Sequence, residues 1–299
     1  MIIRLEKGVT VRNQFWQSNT VQRLVYGSIS TAALLILLIN AHHLLVQLLL
    51  TALLGLTTVG ALIEFYGLCQ KEGTEPETRF GLFVGGCYFL ILLLGRSQAL
   101  PLAFATLSLG AGALPFIFAS KGIFSIGRVA MTLMGWCLIV IPLSCFLLIF
   151  QFPLCAYGLS GDQWLIFLLC VTKITDIGAY LSGRLCGHRL LAPKLSPKKT
   201  KEGAFGGLAF AIAMSCALWW GFGGMGSYGV PVIIGVSLSL LAQLGDLFES
   251  SFKRAVHLKD SGNLPAFGGV LDMVDSLLLA APCLYLWLYS IGGLCDYHH

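Results

Sequence analysis

Charged residues are scarce in this sequence. Long apolar runs occupy the positions at which a soluble protein would have charged residues. Only 11% of the 299 residues are Asp, Glu, Lys or Arg, whereas soluble domains carry about 25%. Hydrophobic residues make up 57% of the chain, and the mean hydropathy is +0.83. The composition therefore excludes a water-soluble globule and predicts a polytopic membrane protein.

Paired cysteines and an N-terminal secretion signal are also missing. The ten cysteines are spread singly through apolar runs without CxxC spacing, so we expect small apolar residues instead of disulfides or metal ligands. Residues 1–20 contain no apolar h-region, which predicts that the first span directs insertion. Although the net charge is +5, the chain has no basic arm. We interpret its cations as topology signals and lipid contacts, and expect no nucleic-acid partner.

Hydropathy predicts an all-α, polytopic transmembrane fold with about nine spans. A membrane helix needs about 20 mostly apolar residues, and shorter ones occur inside a bundle. The candidate spans are residues 22–40, 44–69, 80–95, 99–119, 129–150, 164–182, 203–222, 229–245 and 273–292.

The distribution of basic residues predicts a cytoplasmic N-terminus. With nine spans and this orientation, 17 of the 19 Lys and Arg residues fall on the cytoplasmic side. Arg96 falls outside, and Lys173 lies within a span. This asymmetry is the one that the positive-inside rule describes, and it places the C-terminus on the far side.

The charges divide the chain into three regions. A polar N-terminal segment (1–21) precedes an N-terminal transmembrane scaffold (22–160) and a C-terminal transmembrane region (161–299), in which we expect the functional site. Two windows of the last region, 173–202 and 246–275, contain 17 of the 33 charged residues. Both windows face the cytoplasm in the predicted layout, so we expect them to converge on one polar site at the inner membrane surface.

The first window has ionisable groups at membrane depth and a basic loop. Lys173 and Asp176 lie in an apolar helix, where charge is costly and function is the default reading, with a structural Lys–Asp pair as the alternative. Lysines, hydroxyls and glycines around the start of the next helix resemble an anion site. As an alternative, the same lysines could serve to fix the membrane topology or to contact lipid headgroups. The residues are Ser196, Lys198, Lys199, Thr200, Lys201, Gly203, Gly206 and Gly207.

The second window predicts a site for a divalent cation. Asp272 and Asp275 lie three residues apart at the start of the last span and so share a helical face. Asp246 ends the preceding span and can meet them across the loop. Carboxylate oxygens suit Mg²⁺, which substrate phosphates also ligate. Asp260, before Ser-Gly, is better explained as a turn residue.

Several segments in order resemble the CDP-diacylglycerol synthase (phosphatidate cytidylyltransferase) family. They cover about 100 residues of the C-terminal half, and Glu64-Phe65-Tyr66 adds a weaker match. The segments are Asp176 to Gly183, Ser196-Pro197-Lys198-Lys199-Thr200 with Glu202-Gly203, Ser251-Phe252-Lys253-Arg254, Lys259-Asp260-Ser261-Gly262, Leu264-Pro265, Gly268-Gly269, and Asp272 with Asp275.

The resemblance implies transfer of a cytidylyl group from CTP to phosphatidate, with CDP-diacylglycerol and pyrophosphate as products. It implies Mg²⁺ as cofactor, with a second cation left open, and Asp246, Asp272 and Asp275 as its ligands. The same three acids with Lys253 and Lys259 are the expected catalytic residues. The expected substrate-binding residues are Lys173, Asp176, Ser196, Lys198, Lys199, Thr200 and Arg254. The expected location is the inner (cytoplasmic) membrane, with the active site facing the cytoplasm. Membrane lipid is an expected partner.

Two substitutions depart from the family pattern. Phe267 and Met273 stand where the family usually has His and Arg, which removes two potential phosphate or nucleotide contacts. A catalytically silent homologue that binds CTP or lipid is therefore one alternative. A membrane transporter is another, because it would also have intramembrane charge and many spans. A homodimer is compatible with the sequence.

Overall fold

The computed structural model describes residues 19–94, 126–152, 157–256 and 269–295. These residues form helices and one small sheet. The helices are α1 (Asn19–Ile39), α2 (Leu44–Lys71), α3 (Thr78–Leu94), α4 (Ile126–Gly135), α5 (Ile141–Phe150), α6 (Gly161–Cys186), α7 (Lys201–Gly221), α8 (Gly229–Ala255) and α9 (Val270–Cys295), with a π-helical turn at Trp136–Val140 and strands β1 (Leu190–Ala192) and β2 (Ser196–Thr200).

Six of the described helical segments are long and apolar enough to cross a membrane. They are Leu44–Lys71, Gly127–Phe150, Gly161–Cys186, Lys201–Gly221, Gly229–Ala255 and Val270–Ser290. Ile29–Ile39 and Thr78–Leu93 are shorter apolar helices. The predicted span 99–119 lies outside the described residues. The predominantly helical, membrane-type fold is thus confirmed in the part of the chain that the structure describes.

The basic loop of the first window is a β-hairpin, which the all-helical prediction did not include. Strands β1 and β2 are antiparallel, with Leu190 opposite Thr200 and Ala192 opposite Ser196. Lys201 continues the hairpin, because its N–H donates to the Arg189 carbonyl at 2.8 Å. Pro193-Lys194 lies between the strands, and a helix does not continue through it because proline has no backbone N–H to donate. The hairpin turns the chain back to the start of α7.

Helix α8 extends ten residues beyond the predicted span, which ended at residue 245. It continues to Ala255 and carries Glu249 and Lys253 on two further turns. The hydropathy pattern ended the span too early because these charged residues resemble a loop. They face the interior, where they pair with each other and with α9.

Helices α6 and α7 pack closely through glycine residues. A Cβ at Gly207 would lie 2.8 Å from the Thr175 carbonyl oxygen, and one at Gly203 would lie 2.7 Å from the Ala179 carbonyl oxygen. Larger side chains would therefore separate the two backbones. This approach holds β2, which immediately precedes α7, beside the polar part of α6.

Candidate functional site

Four elements bring most of the predicted site residues together. Helix α6 carries Lys173 and Asp176, and strand β2 carries Lys199. Helix α8 carries Asp246, Glu249 and Lys253, while the first two turns of α9 carry Asp272 and Asp275. The expected convergence of the two charged windows on one site is therefore what the described residues display.

Lys253 is shared between two carboxylates. Its ammonium group pairs with Asp272 at 2.8 Å and with Glu249, one helical turn earlier on α8. The Lys253 and Asp272 side chains are each 12% exposed, and Glu249 is 2% exposed. Because ion pairs in such an environment are little screened by water, this lysine fixes α8 against α9.

A second ion pair joins the hairpin to α8. Lys199 Nζ lies 2.5 Å from the Asp246 carboxylate. Side chains alternate between the two faces of a strand, so Lys199 faces the helices while Lys198 is exposed. The pair brings the hairpin into contact with the acidic site.

Asp275 lies near charged groups of both α6 and α8. It interacts electrostatically with Asp246 and Asp176 and with Lys173. Gly245 allows this arrangement, because a Cβ there would collide with the Asp275 carbonyl oxygen. Lys173 is not confined to Asp176, since its ammonium also reaches the Met273 carbonyl oxygen at 3.5 Å. A purely local Lys–Asp pair on α6 is therefore too narrow a description.

Within the described residues, the cluster contains more acids than bases. Five carboxyl groups face three ammonium groups, and no described lysine or arginine forms an ion pair with Asp275. Excess carboxylate at partly buried positions is costly unless a cation balances it or a carboxyl takes up a proton. The five acids are Asp176, Asp246, Glu249, Asp272 and Asp275, and the three bases are Lys173, Lys199 and Lys253.

The donor chemistry fits a hard divalent cation, although not as a closed protein cage. In the described part of the chain, no three His, Cys, Asp or Glu side chains are grouped so as to ligate one ion. Mg²⁺ commonly uses one or two carboxylates and completes its coordination with water and substrate phosphate. The arrangement fits that kind of site better than a fully protein-ligated one.

A cavity of about 960 Å³ adjoins the charged cluster. Its polar end includes Lys173, Asp176, Lys253, Asp272 and Asp275. The remaining wall is mostly apolar and comes from α1, α2, α5, α6 and α9, with Leu34, Leu54, Phe146, Phe150 and Leu169 among its side chains. The cavity can therefore receive an amphipathic molecule. Because three carboxylates outnumber two ammonium groups at the charged end, an anionic group would need a bound cation there as well.

Other predicted residues lie at the edge of this cluster or have structural contacts. The Thr200 hydroxyl oxygen accepts the Gly203 N–H at 3.1 Å and so caps α7. Arg254 Nε donates to the Leu195 carbonyl oxygen at 3.2 Å, which joins α8 to the hairpin turn. Ser196 is partly exposed at the start of β2. Lys259 lies outside the described residues.

Two acids are more important to the site than the sequence interpretation indicated. Glu249 received no role there, although Asp246, Glu249 and Lys253 have the i, i+3, i+7 spacing of one helical face. That spacing could have identified it. Glu64 accepts hydrogen bonds from the first turn of α9. No local pattern could have identified this contact, because its partners lie 206 and 207 residues away.

Comparison with known proteins shows the family of this chain. The model of the cytidylyltransferase family matches residues 21–291. The chain belongs to the cytidylyltransferase family. The match includes every site residue named above and extends through the N-terminal helices, which the sequence motifs alone barely covered.

Curated relatives of this family member are named phosphatidate cytidylyltransferase. The protein from Brucella suis biovar 1 (strain 1330) is 48% identical over 128 residues, which are 42% of this chain and 47% of the relative. The protein from Staphylococcus saprophyticus is 39% identical over 143 residues, 44% of this chain and 51% of the relative. The chain spans about half the length of the curated relatives that it matches.

Proposed function

We propose that this chain is a phosphatidate cytidylyltransferase, a nucleotidyltransferase that makes CDP-diacylglycerol and pyrophosphate from CTP and phosphatidate for phospholipid synthesis. The observation that carries the proposal is the cavity with a charged end and an apolar wall. Phosphatidate has the same division, with a phosphate at one end and two acyl chains. Family membership and the names of the relatives support the proposal.

The reaction needs positioning and charge neutralisation more than a protein nucleophile. A phosphate oxygen of phosphatidate attacks the α-phosphorus of CTP, and a new P–O–P linkage forms. The bond from the α-phosphorus to the oxygen that bridges to the β-phosphate breaks. Pyrophosphate leaves with that oxygen and its electron pair. No oxidation occurs, and the cytidylyl group ends on the lipid.

The lysines of the cluster are proposed to bind the phosphates of the two substrates. Lys253 and Lys173 line the cavity and suit the lipid phosphate. Lys199, on β2, suits the nucleotide phosphates, which arrive from the water side. Further contacts to the nucleotide phosphates on the water side are proposed for Ser196, Lys198, Thr200, Arg254 and Lys259. Asp176 is proposed to orient Lys173. Restricting the ammonium groups by ion pairs lowers the entropy lost when substrate binds.

Asp246, Asp272 and Asp275 are the proposed ligands of Mg²⁺, and the excess of carboxylate in the cluster supports this assignment. When bound, the ion neutralises phosphate charge and helps pyrophosphate to leave. The acids themselves orient Lys199 and Lys253 through their ion pairs. Mg²⁺ usually binds one or two carboxylates together with substrate oxygens. One or two of these three aspartates would therefore be sufficient as protein ligands.

We further propose nine spans in the inner membrane, with the N-terminus and the active site facing the cytoplasm. The basic residues support this orientation, because 17 of 19 fall on that side. The site residues described come from one chain, so a homodimer is compatible with the mechanism but not needed for it. A reporter placed before residue 1 should resist protease added outside intact spheroplasts, and one placed after residue 299 should be digested. The opposite pattern would invert the orientation, and equal protection would rule out an odd number of spans.

The direct test is formation of CDP-lipid by the purified protein in liposomes supplied with labelled CTP, phosphatidate and Mg²⁺. We expect labelled lipid and pyrophosphate in equal amounts, and none when EDTA removes the metal. Diacylglycerol in place of phosphatidate is the matched control, since it lacks the attacking phosphate. A folded protein that binds CTP without product would indicate a silent homologue. If the protein neither makes product nor binds CTP, the result would favour the transporter.

A further inference from the structure

Glu64 of α2 holds the first turn of α9. One carboxylate oxygen accepts the Val270 N–H at 2.9 Å, and the other accepts the Leu271 N–H at 2.9 Å. Val270 and Leu271 are the first two residues of α9. The contact is therefore a helix cap supplied by a distant helix.

Such a cap fixes position as well as satisfying donors. The first four N–H groups of a helix have no partner within the helix, and exposing them to an apolar environment is costly. Two charge-assisted hydrogen bonds from one planar carboxylate restrict both the rotation and the sliding of α9. Asp272 follows Leu271 directly, and Asp275 lies one turn further on. The restricted turn is thus the one that begins the acidic cluster.

The neighbours of Glu64 connect the same part of α2 to the rest of the site. Phe65 packs edge-on against Phe252, whose next residue is Lys253, with ring centroids 5.5 Å apart. The Tyr66 hydroxyl donates to the Thr132 carbonyl at 2.9 Å, which anchors α2 to α4. Both aromatic side chains are buried. Helix α2 therefore contacts α8 beside Lys253 and α9 beside Asp272.

Glycine allows the close approach that this contact requires. A Cβ at Gly60, one turn before Glu64, would lie 3.2 Å from a Val270 methyl group. Glu64 itself does not line the cavity formed by the described residues. Its two hydrogen bonds to the first turn of α9 connect it to the cavity, because Asp272 and Asp275 of that helix line the cavity.

We propose that Glu64 is a positioning residue, which sets the placement of Asp272 and Asp275 by anchoring the first turn of α9. The consequence for turnover rests on the proposed cytidylyltransferase function. The anchoring itself does not, because it concerns two backbone N–H groups whose protection can be measured without substrate. The two parts can therefore fail separately.

The test compares Glu64→Gln and Glu64→Ala with the wild type in the full-length protein. Gln keeps one oxygen acceptor and the size of the side chain, whereas Ala leaves both N–H groups without this partner. We expect kcat to fall about 10-fold in E64Q and about 100-fold in E64A, because an ångström of misplacement can cost 10²-fold. The KM for CTP should change less than about two-fold, since the lysines that bind CTP are retained.

Hydrogen exchange supplies the measurement that needs no activity. The Val270 and Leu271 amides, read in a peptide that begins at least two residues before Val270, should exchange about 10-fold faster in E64Q than in the wild type, because a charge-assisted bond is lost. Glu72→Gln is the matched control. Glu72 is an exposed acid at the end of the same helix, so both kcat and exchange should stay at wild-type values.

The outcomes separate the two claims. Faster exchange together with lower kcat in E64Q, at an unchanged melting temperature, supports the proposal, and a milder defect in E64Q than in E64A strengthens it. Unchanged exchange overturns the anchoring, and faster exchange with wild-type kcat overturns the positioning role. If the wild type makes no CDP-lipid, the proposed function fails, and exchange still decides whether Glu64 anchors α9.

Discussion

Asp272→Asn is expected to lower the rate of CDP-lipid formation by about 10³-fold while leaving the protein folded. The amide preserves the size of the side chain but removes its charge. Lys253 then keeps only Glu249 as an acidic partner, and the proposed cation loses one of its ligands. The measurement is the initial rate with labelled CTP and phosphatidate at saturating Mg²⁺, alongside a melting curve in detergent.

Asp162→Asn is the matched control for this variant. Asp162 lies in the first turn of α6, fourteen residues and therefore about 21 Å along the helix from Asp176. We expect it to retain the wild-type rate, with at most about 1 kcal/mol lost from the helix-end charge interaction. If D272N kept more than about a tenth of the wild-type rate, charge at this position could not be central to catalysis.

Lys253→Met is expected to lower the free energy of unfolding by about 3–5 kcal/mol. Met fills a similar volume but leaves the buried Glu249 and the nearly buried Asp272 close together without their shared ammonium group. Removing one partner of a buried ion pair costs far more than removing an exposed pair. The measurement is unfolding of the purified protein by a denaturing detergent.

The double variant K253M/E249Q identifies the cause of that loss. Neutralising Glu249 removes the uncompensated charge, so the double variant should regain part of the stability lost in K253M. Lys71→Met, at the exposed end of α2, should unfold within about 0.5 kcal/mol of the wild type. A double variant no more stable than K253M would show that packing, not charge, accounts for the effect.

Sequence patterns predicted the helices better than their ends. A continuous apolar run is sufficient to identify α2, because lipid requires a helix there. The same rule ended α8 at residue 245, since Asp246, Glu249 and Lys253 are unfavourable in lipid. These side chains are tolerated because they pair across α8, α9 and β2. Such pairing depends on three elements that are separated in the chain, and hydropathy does not contain that information.

The candidate site also has residues whose placement the sequence predicts and residues whose placement requires the fold. Asp272 and Asp275 were predictable, because two acids three residues apart at the start of an apolar helix share one face. The helix cap that Thr200 forms required the fold to be recognised, since a hydroxyl before a helix start suits a cap, a phosphate contact or both. The role of Glu64 depends on contacts across more than 200 residues.

The distance along the chain between Glu64 and Val270 also affects how this protein is made. Ribosomes add about 5–20 residues per second, so the 206 residues between donor and acceptor take about 10 to 40 s to synthesise. During that interval the carboxylate of α2 is within or beside the membrane without its eventual partners, which is an expensive state for a charged group. The final contact between α2 and α9 therefore forms only after nearly the whole chain has been synthesised.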